Sequence, residues 1–287
     1  VGVRLAKLFD SEDKKIYSEA MNGSILRAFR AWYHYYFGID ELSEKQESVA
    51  IAGWNPLAIG KNAHIDHESL YSVKQILGIG GIRSGKTTAA CLGILFQMWL
   101  LPDLDCLNIA PSVDQAATMY RMGLGLVSGH RFDKFIRRPD GSDGIIKHPY
   151  PMICMWNGSA VEFRSMGYEG ELIRSREFDR INIDECQLVR EGGVRTLQGR
   201  LVGYKMSSQR NRLGVMSMTG SPLSRVLWLR QAFDDGDPAN PHRDLNHLAV
   251  RFSIFDNIKN LGKKAVQELY SLYKQSPQLI EQELEGK

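Results

Sequence analysis

The sequence predicts an α/β fold, a mainly parallel central sheet flanked by helices. Three observations carry that prediction. A short apolar run, "VKQILGIG" (residues 73–80), leads through glycines into a helix-forming stretch. Strand-like and helix-like segments then alternate, the pattern of helices packed over a parallel sheet. Two further strand-like runs end in polar residues, one at Asp184-Glu185 and one at Thr219-Gly220-Ser221.

The bulk composition fits a globular chain. Of 287 residues, 43% are hydrophobic and 24% charged, enough apolar surface for a sizeable core. The net charge of +3 is too weak to imply nucleic-acid binding by itself, so any basic surface has to be argued locally. The four cysteines (Cys91, Cys106, Cys154, Cys186) form no close CxxC pair and read as free thiols in a reducing compartment, with no zinc site. The longest apolar run, around Cys91–Leu101, is broken by Gly93 and Gln97 and is too short to span a bilayer. The first residue is Val and no signal peptide precedes the fold, so the sequence reads as a piece of a longer chain.

In chain order, Ser11–Gly38 reads as helical, because Ile16, Ile25, Leu26, Phe29, Trp32 and Tyr36 recur at helix-like spacing. Glu41–Leu70 is mixed, punctuated by Gly and Pro, and reads as a loop-rich connection. The strand over 73–80 is followed by "KTTAACLGILFQMWLL", a helix with an apolar face stopped by Pro102. "DCLNIAP" is the next strand, and "SVDQAATMYRMGLGLV" the next helix, with Ser112 as N-cap. "MICMWNGSAVEF" predicts a hairpin with Asn157-Gly158 in a type I′ turn. "FDRINIDE" and "RLGVMSMTG" are further strands. Arg180 and Asn182 alternate with Ile181 and Ile183, so one face of the first must meet something polar. After Pro222, "LSRVLWLRQAF" reads as a helix, "LNHLAVRFSIF" as a last strand, and the C-terminal stretch as one or two closing helices. The expected units are an N-terminal helical and loop extension over 1–70, a core over 71–222, and a small C-terminal lid subdomain over 223–287.

Gly80, Gly85, Lys86 and Thr87 match G-x-x-x-x-G-K-[ST] between a strand and a helix, the context that a phosphate-binding loop requires. Glycines let backbone N–H groups turn inward around phosphate oxygens, and the following helix presents free N–H groups and a positive dipole end. The nucleotide-binding candidates are therefore Gly80, Gly81, Ile82, Arg83, Ser84, Gly85, Lys86, Thr87 and Thr88. Lys86 is placed to reach the β- and γ-phosphates of ATP, and the Thr87 hydroxyl to ligate Mg2+. Asp184, at the end of a buried strand, suits the magnesium shell, and Glu185 can orient and deprotonate an attacking water. A kinase would exclude water, so the acidic pair favours hydrolysis. No N-K-x-D guanine-reading motif is present. Thr219, Gly220 and Ser221 are candidates for sensing the γ-phosphate and passing that state along the sheet, or else form a plain strand-to-helix turn.

These elements, in this order, resemble the ATPase domain of tailed-phage large terminase subunits, the motors that package viral DNA. "LNIAPSVDQAATMY", "WNGSAVEFRS", "LIRSREFDRINIDECQ", "FSIFDN" and the terminal "IEQELEGK" are each similar to a segment of that family, and the resemblance covers Ile76 to the C-terminus. It implies an ASCE-type (additional strand, catalytic glutamate) P-loop fold, with ATP and Mg2+ as cofactors. It implies ATP hydrolysis coupled to translocation of double-stranded DNA into a procapsid. The implied partners are the portal protein, the small terminase subunit and copies of the same chain in a ring, expected as a pentamer, with a monomer in isolation. The implied place of action is the host-cell cytoplasm, docked transiently on the procapsid. By the same resemblance Lys86 and Glu185 are catalytic, Thr87 and Asp184 hold metal, and Thr219, Gly220 and Ser221 form the coupling motif. Arg174 then corresponds to an arginine finger acting on a neighbour's ATP; its alternative is a surface ion pair with Glu171 or Glu177.

The sequence departs from the family in several places. The basic residue expected two places before Ser-Gly-Lys is Ile82 here, and Arg83 follows it by one. Arg83 reads as a displaced loop arginine, a sensor of the γ-phosphate in cis or a group facing a neighbour or solvent. Cys186 replaces the usual alanine. The adenine-side glutamine is not identifiable, Gln46 and Gln75 both being poor candidates. The family's nuclease domain is absent from this chain, so no DNA cleavage is expected of it. For DNA, translocation demands contacts to phosphates rather than bases. Arg137, Arg138 and Arg200 are the candidates, within basic clusters that also include Arg131, Lys134, Arg195, Arg210 and Arg212; the alternative is solvated surface arginine. A helicase-like or other DNA-remodelling ATPase is the second reading, and a non-catalytic nucleotide-binding module the third.

Overall fold

A computed structural model describes residues 8–53, 73–167, 176–201, 203–205, 210–211, 213–222 and 226–286, with backbone only at 204, 210 and 211. Three helices come first: α1 (Ser11–Met21), α2 (Ile25–Phe37) and α3 (Glu44–Ile51). The helical region expected over 11–38 is thus two helices, parted at Asn22-Gly23, where Gly23 takes φ 91°. Asp10 caps α1 in a reciprocal box with Asp13.

The loop expected over 41–70 needs correction in its first part. Ser43 accepts the N–H of Gln46 while Gln46 reaches back to the Ser43 N–H, and this capping box starts α3. The Ser-x-x-Gln signature was in the sequence, masked by the glycine and proline that follow it.

Strand β1 (Gln75–Gly80) runs into the glycine loop and α4 (Lys86–Leu100). Next come β2 (Asp105–Ala110), α5 (Val113–Val127, capped by Ser112), β3 (Ile145–Ile146), β4 (Met152–Cys154), β5 (Ala160–Ser165) and β6 (Arg180–Ile183). They are followed by α6 (Glu191–Gln198), the short pair β7 (Tyr204–Lys205) and β8 (Arg210–Asn211), then β9 (Val215–Gly220), α7 (Leu227–Gly236), β10 (His247–Phe252) and α8 (Lys263–Tyr273). One eight-stranded sheet has the order β10-β1-β9-β6-β2-β5-β4-β3. Its first six strands are parallel, and β4 and β3 are antiparallel at one edge.

The hairpin forms, but not through a type I′ turn. Gly158 alone takes positive φ (88°), and the Met155 carbonyl accepts the Gly158 N–H at 3.0 Å. The Asn157 amide is committed elsewhere, donating to the Met98 carbonyl at 2.7 Å at the end of α4.

The N-terminal helices are part of the main core rather than an appended extension. Phe9 stacks on Trp99 of α4 with centroids 5.5 Å apart, and Trp32 packs on Phe96 at 5.1 Å. All these rings are buried. The boundary expected at 222 also moves, because β10 pairs with β1 along its whole length and so belongs to the sheet. Beyond β10, Ile254, Val266 and Leu284 form a small separate cluster. On β6, Asn182 accepts the Ser217 hydroxyl at 3.0 Å, the polar contact that the alternation predicted. Arg180 is fully buried with its guanidinium unbonded, and burial pushes its pKa down to about 10. Among the described residues no helix is long and apolar enough to cross a membrane.

Candidate nucleotide site

The sheet order decides where the site lies. β1, β9 and β6 are neighbours and parallel, so the loop after Gly80, the Thr219-Gly220 end and the Asp184-Glu185 end meet at one edge of the sheet. The strand carrying the phosphate loop is separated from the strand carrying the acidic pair by β9, and Glu185 follows Asp184 directly. These two features define the additional-strand, catalytic-glutamate class of P-loop folds.

Ser112 opens α5 as a capped helix, but α4 opens differently. Gly85 sits at its N-cap with φ 83°, a conformation that turns the loop back over the helix start. The N–H groups of Lys86, Thr87 and Thr88 occupy the first turn, which has no intrahelical acceptors and a positive dipole end. Lys86 is 6% exposed, and its ammonium donates to the Gly81 carbonyl at 3.1 Å. Burial pushes its pKa below the ordinary lysine value, opposed by the nearby Glu185 and Asp184 carboxylates.

Asp184 joins the three strand ends. One carboxylate oxygen accepts both the Thr87 hydroxyl at 2.9 Å and the Thr219 hydroxyl at 2.6 Å. Its other oxygen and the Thr87 lone pairs form an oxygen-only donor set, which fits Mg2+. A magnesium ion completes its octahedron with waters and phosphate oxygens rather than with a protein cage. Among the described residues no group of three or more His, Cys, Asp or Glu is gathered. Glu185 takes the left-handed conformation (φ 50°, ψ 44°), which turns its side chain away from the run of β6. Its carboxylate accepts a hydrogen bond from the Gln187 amide.

Four residues of the site were given no role by sequence reasoning. Gln46, 1% exposed on α3, donates to the Ser84 carbonyl at 3.0 Å and to Asn257 at 3.3 Å. Asn257 donates to the Arg83 carbonyl at 2.9 Å. Two amides thus hold consecutive carbonyls of the loop, one from each end of the chain. Glu283 accepts the Ile82 N–H at 2.6 Å through its backbone carbonyl. The fourth is Gln187. Gln46, dismissed as an adenine contact, touches the loop itself. Only the capping box that orients α3 hinted at it.

The arginines are scattered. Arg83 is exposed with φ 55°, its backbone held by Asn257. Arg174 lies outside the described residues. Arg137 and Arg138 are exposed on a turn preceding β3, at the far edge of the sheet. Arg200 is half-buried and its carbonyl accepts the Phe178 N–H, beside the N-terminal end of β6 and away from the nucleotide edge. Within the basic run "RFDKFIRR", Lys134 is consumed in ion pairs with Asp10 and Asp13, and Arg131 covers the Tyr35 ring. Arg195 pairs with Glu191.

Comparison with solved structures finds the same fold. The fold is that of large terminase ATPase domains. The large terminase of a thermophilic bacteriophage matches with a TM-score of 0.59 at 17% identity, over 86% of this chain and 53% of that one. The ATPase domain of the Thermus phage P74-26 large terminase matches with 0.55 at 16% identity, over 80% and 95%. The bacteriophage HK97 large terminase matches with 0.54 at 12% identity, over 85% and 55%. The chain thus spans about half the length of the first and third of these proteins. The first has been solved with ADP and with ATP-gamma-S. No family model matches this chain, and no curated protein does.

Proposed function

We propose that the chain is the ATPase motor domain of a viral large terminase and hydrolyses ATP with Mg2+. The observation that carries this is the single Asp184 oxygen shared by Thr87 and Thr219, with Glu185 beside it. It gathers phosphate loop, metal carboxylate, general base and sensor strand at one edge of the sheet.

The first-turn N–H groups of α4 hold the phosphates, and Lys86 neutralises charge on the β- and γ-oxygens as the γ-phosphoryl leaves. Thr87 and Asp184 would hold Mg2+, whose chemistry there is to offset negative charge on the phosphates. Glu185 orients the attacking water and takes its proton at a carboxylate oxygen. Thr219, bonded to Asp184, stands where a change at the γ-phosphate would be felt by β9. Within residues 226–286, β10 joins the same sheet, beside β1.

Coupling of hydrolysis to movement of double-stranded DNA into a procapsid belongs to this reading, as do the portal protein, the small subunit and a ring of copies. So does action in the host cytoplasm. Arg137 and Arg138, exposed on their turn, are the side chains offered to DNA phosphates; Arg174 remains the candidate finger. The purified chain should release phosphate from ATP with Mg2+ and stop when the metal is chelated. It should bind duplex DNA with an affinity that falls steeply with salt. No phosphate release in Mg2+ would overturn the assignment.

A further inference from the structure

We propose that Gln187 positions Glu185 for hydrolysis and ties that carboxylate to the end of β9. The inference rests on the ATPase reading given above. Gln187 follows the acidic pair by two residues in a single 3₁₀ turn and is 9% exposed. Its amide is used at both ends. Nε2 donates to the Glu185 carboxylate. Oε1 accepts the backbone N–H of Ser221 at 3.1 Å.

The geometry explains why a glycine lies between Thr219 and Ser221. A Cβ on Gly220 would stand 2.3 Å from Gln187 Oε1 and 2.9 Å from Cys186 Sγ, closer than real Cβ atoms approach. Any side chain there would press on that amide, and on the Cys186 thiol as well. β9 therefore grips both carboxylates of the site. Thr219 holds Asp184 directly, and Ser221 holds Glu185 through Gln187. A small shift of the β9 end would move metal ligand and general base together. Left unguided, the Glu185 side chain has rotatable bonds to spare, and a displacement of about 1 Å in such a group costs on the order of 100-fold in rate. Gln187 is a positioning residue in this scheme and does not touch the reacting atoms.

The test is single-turnover phosphate release by the full chain in excess enzyme, with ADP affinity and thermal melting measured alongside. Gln187→Met keeps the bulk and removes both hydrogen bonds. Gln187→Glu keeps an acceptor for Ser221 but cannot donate to Glu185. Both should lower the hydrolysis rate by roughly 30- to 100-fold while ADP affinity stays within about threefold. If Gln187→Met melts early, Gln187→Glu alone decides. Gly220→Ala should also slow hydrolysis, and because the Cβ would meet Cys186 Sγ as well as the amide, Gln187→Ala/Gly220→Ala should lose less than the product of the two single losses while keeping the Cys186 part. Hydrolysis within about twofold of wild type in Gln187→Glu, or multiplicative losses in the double variant, would overturn the proposal. A wild-type chain that releases no phosphate would instead remove the ATPase reading beneath it.

Discussion

The phosphate loop and the basic turn at Arg137–Arg138 sit near opposite edges of one sheet, and they are built in opposite ways. Around the loop the side chains are held in place: Lys86 on Gly81, Gln46 on Ser84, Asn257 on Arg83, and Thr87 and Thr219 on Asp184. The basic turn closes on itself through the Arg138 and Ser142 backbones, and both its arginines are exposed, Arg138 lying beside Cys154. The contrast teaches that pre-organisation marks the chemical site, where each group must meet a fixed atom. On the proposed reading, contacts to a phosphate backbone would need charge and reach more than a fixed partner.

That contrast can be broken or sharpened by substitution. The largest effect is expected at Lys86→Ala, which removes the buried ammonium from the phosphates; the hydrolysis rate should fall by roughly 100- to 1,000-fold. A loss under about tenfold would mean that the loop does not hold the transferred phosphoryl group. Next comes Thr219→Val, which leaves the Asp184 oxygen with one donor instead of two. It should cost about 1–3 kcal/mol in stability by thermal or denaturant melting and slow hydrolysis as well. Asn257→Ala frees the Arg83 carbonyl and takes the acceptor from the Gln46 and Asn260 amides, so ADP binding by calorimetry should weaken by about 1 kcal/mol, roughly fivefold. The smallest effect on turnover is expected from Arg137→Glu/Arg138→Glu. Phosphate release without DNA and the melting temperature should not move. DNA affinity should drop, and the slope of log affinity against log salt should shrink by about 2. A change in DNA-free hydrolysis would erase the division between the two regions.

The sequence made the loop, the acidic pair and the β9 end legible because their chemistry demands fixed residue types at strand ends. The parallel sheet followed from alternation, and its order then placed those ends together. What was hidden depends on contacts between distant parts of the chain. Gln46 lies 38 residues from Ser84, and 211 from Asn257, and no periodicity announces either contact. The helix carrying Gln46 was read as loop because its Ser43-x-x-Gln46 box was outweighed by downstream glycines. Asn157-Gly158 looked like a two-residue turn, yet tertiary demand for the Asn157 amide at the end of α4 set a different geometry. Charge in the basic clusters says nothing of local partners: Lys134, Arg131 and Arg195, grouped there with the DNA candidates, meet Asp13, Tyr35 and Glu191.

The central claim is that Glu185 is the base of an ATP hydrolase. Phosphate release measured beside ATP-gamma-S binding for the wild type and Glu185→Ala tests it most directly. The account predicts that Glu185→Ala binds the nucleotide as the wild type does and releases phosphate at least about 100-fold more slowly. Turnover retained in Glu185→Ala would contradict it.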